Sequence, residues 1–182
     1  AALGATRHEI VDIDLSRFGG SALTDASIAV PEQPGAPGAI PVTYVPARNT
    51  IMLSIARGWA EVLEAGEIHF GANAVDYSGY PDCRNDTMQA LEKALSLGMD
   101  RRFTLHMPLM WRDKAATWQL AQDIGGPLLV ELVRQHTHSC YLGQRDPHPW
   151  GAGCGHCPAC ALRAAGWPRW TDGQPAQPLQ NP

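Results

Sequence analysis

Apolar and polar residues alternate early in the chain. His8-Glu9-Ile10-Val11-Asp12-Ile13-Asp14-Leu15 sets β-branched residues between polar ones, the pattern of a half-buried strand. Ahead of it, Ala1 to Ala5 reads as the last turn of a helix closed by Gly4. From Thr50 to Glu64 the period lengthens. Ile51, Leu53, Ile55, Ala56, Trp59 and Leu63 recur at helical spacing. Glu67 to Ala72 then predicts a short strand ending on small residues, and Asp86 is placed to cap a helix that runs to Leu97 and stops at Gly98. Phe103 to Leu109 reads as a second such strand, and Asp113 as the cap of a helix through Leu120. Leu128 to Val133 is a short apolar element leading into the cysteine region. Strands alternating with helices at these intervals predict an α/β fold with a parallel sheet.

Between Ala29 and Pro46 the pattern breaks at Pro31, Pro34, Pro37, Pro41 and Pro46. Such a stretch predicts a long loop or lid over an active-site edge. The end of the chain from Trp167 to Pro182 is rich in Pro and Gln and reads as a loose tail. These breaks divide the chain into 1–135, a metal-binding segment 136–166 and a tail 167–182.

Composition narrows the class. A chain of 182 residues suits one domain with a buried core. A formal charge of -4 speaks against a nucleic-acid face, which needs a basic stripe. No apolar run approaches the roughly 18 residues of a membrane span. The N-terminus has no basic region followed by an apolar stretch, so it is not a secretory signal. The reading is a cytoplasmic protein with neither nucleic acid nor membrane among its partners. Trp59, Trp111 and Trp118 are expected in the core.

The cysteines carry the sharpest chemistry. Cys154, Cys157 and Cys160 are separated by two-residue gaps, with Cys140 fourteen residues upstream. That crowding fits a metal site in a reducing compartment better than disulfides. Four thiolates make the tetrahedral, soft ligand set that zinc takes, and Gly151, Gly153 and Gly155 permit the tight turns of a knuckle. An iron–sulfur cluster is the rival, but the ferredoxin run continues with a further Cys and then Pro, whereas Ala161-Leu162-Arg163 follows here. His136, His138, His148 and His156 lie near, yet four cysteines already close the shell. A closed shell implies a structural rather than catalytic ion.

Three further segments complete a pattern: Tyr44-Val45-Pro46-Ala47-Arg48-Asn49, then Asp76-Tyr77-Ser78-Gly79-Tyr80-Pro81-Asp82-Cys83-Arg84, then Pro108-Leu109-Met110-Trp111 with Asp113-Lys114-Ala115. With the four cysteines, from about Thr6 to Gly166, they resemble the 7-cyano-7-deazaguanine synthase (QueC) family in order and spacing. The resemblance implies a Rossmann-like parallel sheet of the adenine-nucleotide alpha-hydrolase (ATP pyrophosphatase) type, with a zinc knuckle near the C-terminus. It implies an ATP-dependent carbon–nitrogen ligase of queuosine and deazapurine biosynthesis, taking 7-carboxy-7-deazaguanine, ammonia and Mg-ATP to the 7-cyano compound (preQ0). In that chemistry the carboxylate is activated, ammonia gives the amide, and the amide oxygen is activated again and lost. A homodimer is also implied.

On this reading Asp76, Tyr77, Ser78, Tyr80, Asp82 and Arg84 bind substrate. Asp76 and Asp82 would accept from guanine-like N–H groups, the tyrosines would stack, and Arg84 would pair with a carboxylate. The plainer alternative is a turn held by Gly79 and Pro81. Arg48 and Asn49 would meet the nucleotide or acyl-adenylate, or else cap a helix. Lys114, in the first turn of a helix, would stabilise phosphate charge beside Arg48 in the catalytic set. Cys83 is expected to be a packed thiol rather than a nucleophile.

The family's Ser-Gly-Gly-x-Asp-Ser phosphate loop does not occur in these residues, and Gly19-Gly20-Ser21 reads as a simple turn. With no Met at position 1, the expectation is that about one strand–helix–strand–helix stretch is missing. The alternatives for function are a truncated, non-catalytic, zinc-stabilised homologue and a relative that activates another carboxylate.

Overall fold

The computed structural model describes residues 3–33, 36, 39–74 and 79–174. Helix α1 spans Arg48–Val62, strand β1 Glu67–His69, helix α2 Asn85–Gly98 and strand β2 Thr104–His106. Strands β1 and β2 pair in parallel, with Ile68 opposite Leu105 and His69 opposite His106. The expected α/β arrangement with a parallel sheet is present. Its core is Leu53 of α1, Met88 of α2, Leu105 of β2 and Ala72, Phe103 and Met110 beside the strands, with Ile68 and Trp111 packed against them.

Helix α1 buries a stripe that hydrophobic periodicity does not show. Asn49, Leu53, Arg57 and Ala60 face inward, whereas Trp59 is exposed. Arg57 takes the inward place at this level, its guanidinium 5.0 Å from the Phe103 ring centre. That displaces Trp59 from its expected core position.

Helix α3 runs from Lys114 to His136, far past Leu120, and absorbs the apolar segment at Leu128. It kinks at Gly126, whose φ of 62° no ordinary helical residue adopts, and Pro127 follows as the start of the second half. Asp113 caps α3 as expected, its Oδ1 accepting from the Ala116 amide at 2.7 Å. Asp86 does not cap α2. Arg84 holds that place without a side-chain cap, and Asp86 sits in the first turn, where its charge favours the helix dipole.

A hairpin of β3 (Pro147–His148) and β4 (Gly151–Ala152) leads into helix α4, Pro158–Thr171. Helix α4 extends through Trp167, where the sequence predicts a loose tail. The cause is a tryptophan cluster. Trp118 of α3 meets Trp167 at 4.9 Å edge-on and Trp170 at 6.2 Å, so the last turns of α4 are held against α3. Residues 175–182 lie outside the described residues.

The alternating segment from His8 is not a strand. Ile10, Val11 and Ile13 are exposed, and among the described residues no strand pairs with it. Alternation stabilises a strand only beside a partner edge. Gly4 has the left-handed φ of 76° expected of a helix-closing glycine, but the turn before it includes residues outside those described. Gly19-Gly20-Ser21 is a turn as read, with Ser21 O accepting from Thr24 and Asp25.

Candidate active site and metal centre

The metal centre is built at the mouth of α4. Cys157 stands at the N-cap of that helix and Pro158 at its first position, where a missing N–H costs nothing. The next turn returns Cys160 to the same point. The hairpin delivers Cys154 from the other side. Gly153 is obligatory there, since a Cβ on it would lie 2.6 Å from Cys160 Sγ. The Sγ atoms of Cys140, Cys154, Cys157 and Cys160 all fall within 4.8 Å of one another.

Tetrahedral zinc with Zn–S bonds near 2.3 Å needs sulfurs about 3.8 Å apart. The four thiols therefore fit a single ion. Burial acts to raise the Cys154 thiol, but amide donors outweigh it: Cys157 N–H at 3.2 Å and His156 N–H at 3.4 Å hold it down at about 7. Donors of this kind favour the thiolate that zinc requires. Three of the four nearby histidines are otherwise engaged. His138 Nε2 meets Gln144 O at 2.8 Å, His148 Nε2 meets Gly153 O at 3.0 Å, and His156 Nδ1 meets Cys154 O at 3.0 Å.

Arg163 of α4 supports this knuckle, and no motif announces it. Buried within it, Nε donates to Trp150 O at 3.0 Å, Nη1 to Thr137 O at 3.3 Å and Nη2 to Val133 O at 3.2 Å. It thereby ties the hairpin carbonyl of Trp150 to the carbonyls of Val133 and Thr137 at the C-terminal end of α3.

Beside the knuckle lies a cavity of about 560 Å³. Its walls come from the start of α1 (Arg48, Asn49), the residues after β1 (Phe70 to Asn73), Tyr80 and Cys83, Lys114 at the start of α3, and Ser139 and Tyr141 of the knuckle. The proline-rich segment contributes Pro31, Pro41 and Thr43. The location is the carboxyl end of the parallel strands, where open α/β sheets bind ligands. Arg48, Asn49, Lys114 and Tyr80 are thus brought together.

Asp82 is held differently from the expectation of a free acceptor. It is buried, with Oδ2 accepting from the Asn49 amide at 2.9 Å and Oδ1 from Asn49 Nδ2 at 3.2 Å. It serves as a remote cap for α1, whose N-cap residue Ala47 supplies no side chain for the purpose. Arg84 is exposed at the start of α2 and is not among the described cavity-lining residues. Asp76, Tyr77 and Ser78 lie outside the described residues.

Tyr80 is buried, and its hydroxyl meets Thr43 Oγ1 at 2.7 Å and the Tyr141 hydroxyl at 3.1 Å. Arg48 lies 5.9 Å from its ring centre. Cys83 accepts from Asn49 Nδ2 at 3.0 Å. Burial, and next the Asp82 carboxylate, push its thiol up to about 11, partly offset by Arg48. At neutral pH that thiol is protonated, in accord with a packed role. Sequence reasoning missed Thr43, Ser139 and Tyr141. Ser139 Oγ is buried at the cavity wall without a hydrogen-bond partner among the described residues. Only the position of Tyr141 beside a cysteine of the cluster could have hinted at its part.

Comparison with known sequences decides the family. The family model described as queuosine biosynthesis protein QueC matches residues 1–171. The chain belongs to the QueC family. Among similar proteins, a 7-cyano-7-deazaguanine synthase of Rhodopseudomonas palustris is 54% identical over 95% of this chain and 72% of its own length. One from Acidovorax sp. is 52% identical over 93% of this chain and 69% of its own. One from Alkalilimnicola ehrlichii is 58% identical over 71% of this chain and 55% of its own. The QueC match therefore takes in the parallel strands, the cavity and all four cysteines. Among the described residues no helix is long and apolar enough to cross a membrane.

Proposed function

We propose that this chain carries out the ATP-dependent conversion of 7-carboxy-7-deazaguanine and ammonia to 7-cyano-7-deazaguanine. The observation that carries the reading is the cavity at the carboxyl ends of β1 and β2, where Arg48, Asn49, Lys114 and Tyr80 converge in a chain with synthase relatives above 50% identity. A parallel pair with its ligand cavity at that end supports a Rossmann-like sheet of the ATP pyrophosphatase type.

Arg48 and Lys114 are the catalytic cations. Lys114 stands in the first turn of α3, beside amides that also favour anions, and Arg48 at the start of α1. Together they would offset charge on the phosphates and on the oxygen that leaves, with Mg²⁺ accompanying ATP. Tyr80 offers a face for the deazapurine, and Asp76, Tyr77, Ser78 and Arg84 complete recognition of its polar edge and carboxylate. Asp82 acts through Asn49, fixing the end of α1 that presents Arg48. The zinc ion is structural, because four thiolates leave no open position. Reduced thiolates as ligands support a cytoplasmic setting. A homodimer is the assembly that the family resemblance implies. Among the described residues, no feature of the site favours a non-catalytic homologue or another carboxylate.

The test is incubation of the zinc-loaded chain with 7-carboxy-7-deazaguanine, ammonia and Mg-ATP, with calorimetric titration of the acid alongside. Binding of the acid, with amide and nitrile detected by mass spectrometry, is the expected result. A folded, zinc-loaded chain that neither binds nor converts the acid would overturn the proposal.

A further inference from the structure

A second group of metal-ligating side chains lies on the sheet, apart from the cysteines. Glu67 and His69 occupy alternate positions of β1, so both project from the same face. The parallel register then sets His106 of β2 directly opposite His69. The two imidazoles stack with centres 4.5 Å apart and planes 17° from parallel. Glu67 Oε2 lies 3.5 Å from His106 Nε2 and 4.0 Å from His69 Nε2. One ligand atom from each of the three residues falls within 4.8 Å of the others.

Two features separate this arrangement from an ordinary surface ion pair. His106 Nε2 is itself shielded from solvent yet makes no hydrogen bond among the described residues beyond its ion-pair approach to Glu67, although its ring is partly exposed. A buried ring nitrogen without a partner is unfavourable unless something fills the place beside it. The spacing also suits an ion. Bonds of about 2.0–2.1 Å from a tetrahedral centre to nitrogen and oxygen set neighbouring ligands about 3.4 Å apart.

We propose that Glu67, His69 and His106 form a second metal site, for a divalent ion of the zinc class. Two imidazoles and one carboxylate select zinc, cobalt or nickel over magnesium and calcium, which prefer oxygen ligands throughout. Three protein ligands leave a fourth position for water, so this site is open where the cysteine site is closed. It is held by side chains at the ends of paired strands, and the next residues after β1, Phe70 and Gly71, line the cavity.

The experiment takes protein already holding one zinc per chain on its cysteines and titrates further Zn²⁺ by calorimetry, with metal content checked by elemental mass spectrometry. One additional ion per chain is expected. His69→Ala and Glu67→Gln, each at an exposed side chain, should weaken that second binding, His69→Ala by more than about 100-fold. The double variant His69→Ala/His106→Ala should abolish it. Substitution of Zn²⁺ by Co²⁺ should leave the thiolate charge-transfer band of the cysteine site unchanged in every variant. Absence of a second ion in the unsubstituted chain overturns the proposal, as does a second ion that persists in the double variant. His69→Ala alone, at a largely exposed side chain, keeps the test valid if the double variant folds poorly.

Discussion

The hydroxyl groups of Tyr80 and Tyr141 meet at 3.1 Å across a sequence separation of 61 residues. Tyr80 belongs to the loop proposed to bind substrate, and Tyr141 directly follows Cys140 of the four-cysteine cluster. The contact therefore ties the cysteine knuckle to the cavity wall. Burial, with Tyr80 close by, raises the Tyr141 phenol well above its ordinary value, so the hydroxyl stays protonated throughout any working pH.

Tyr141→Phe tests that tie. The ring and its packing survive, while one hydrogen bond of about 1 kcal/mol is lost. The expected outcome is unchanged zinc content, a small drop in Tm and weaker binding of the acid substrate. Calorimetric titration beside thermal melts checks it. Unaltered affinity would show that the hydroxyl pair contributes to folding alone.

Gly166 of α4 packs directly on the start of α3. A Cβ at this position would lie 2.4 Å from Lys114 Cβ and 2.9 Å from its backbone carbon. Backbone atoms cannot swing aside as a side-chain tip can, so Gly166→Ala must part the two helices or shift Lys114. Overpacking of this kind costs about 1–3 kcal/mol. Turnover should fall beyond what the loss of stability explains, because Lys114 lines the cavity. Comparing activity well below Tm in both proteins separates the two effects.

What the sequence disclosed, and what it withheld, follows from the range of the forces involved. The cysteine knuckle was legible because ligand spacing is a local property. The strand pair and the Asp113 cap were legible for the same reason. The buried stripe of α1 was not, since Asn49 and Arg57 are polar and owe their inward places to Asp82, Phe103 and Glu61, all remote or on another turn. The continuation of α4 past Trp167 depends on Trp118, which only tertiary packing brings near. The segment from His8 shows the opposite failure, a strand pattern with no partner among the described residues. Within the site, Arg48, Asn49, Lys114 and Tyr80 stand in recognisable motifs and line one cavity, whereas Ser139 and Tyr141 arrive through the fold of the knuckle.

Removal of zinc by a strong chelator should release the end of the chain. Four thiols within 4.8 Å would lose the centre that unites them, and with it the anchor at the first turn of α4. Structural zinc sites supply on the order of 10–16 kcal/mol in small zinc domains. The expected result is loss of helical circular dichroism and a large fall in Tm, reversed by adding zinc. Cys157→Ser should reproduce the chelated state. Retention of the native melt by metal-free protein would refute a structural role.

Cys83, the one cysteine of the sequence outside the cluster of four, should alkylate slowly in zinc-loaded protein. With its thiol pushed up to about 11, against an ordinary 9.0, the thiolate fraction at mildly alkaline pH falls roughly 100-fold below that of an unperturbed cysteine. Asp82→Asn removes a charge that raises the thiol and should speed labelling. Arg48→Met removes one that lowers it and should slow labelling further. Iodoacetamide kinetics followed by peptide mass spectrometry would show whether the two variants move in these opposite directions.

Acid should act on α1 through Glu61. Its Oε2 lies 2.7 Å from Nη2 of the fully buried Arg57, and its Oε1 lies 3.6 Å from Arg101. Contact with Arg57 holds the Glu61 carboxyl below its ordinary 4.5, with Arg101 adding to the effect. Because the folded value lies below the unfolded one, the stabilisation is fully present above pH 4.5 and is lost as pH falls through the folded value. Glu61→Gln cannot gain or lose that charge. The difference in Tm between the unsubstituted chain and Glu61→Gln should therefore be largest near neutrality and shrink as the solution is acidified below 4.5. Melts of both proteins across that range check it. A difference that stays constant with pH would mean that Arg57 is held by Phe103 and the Arg101 carbonyl, and owes nothing to the carboxylate.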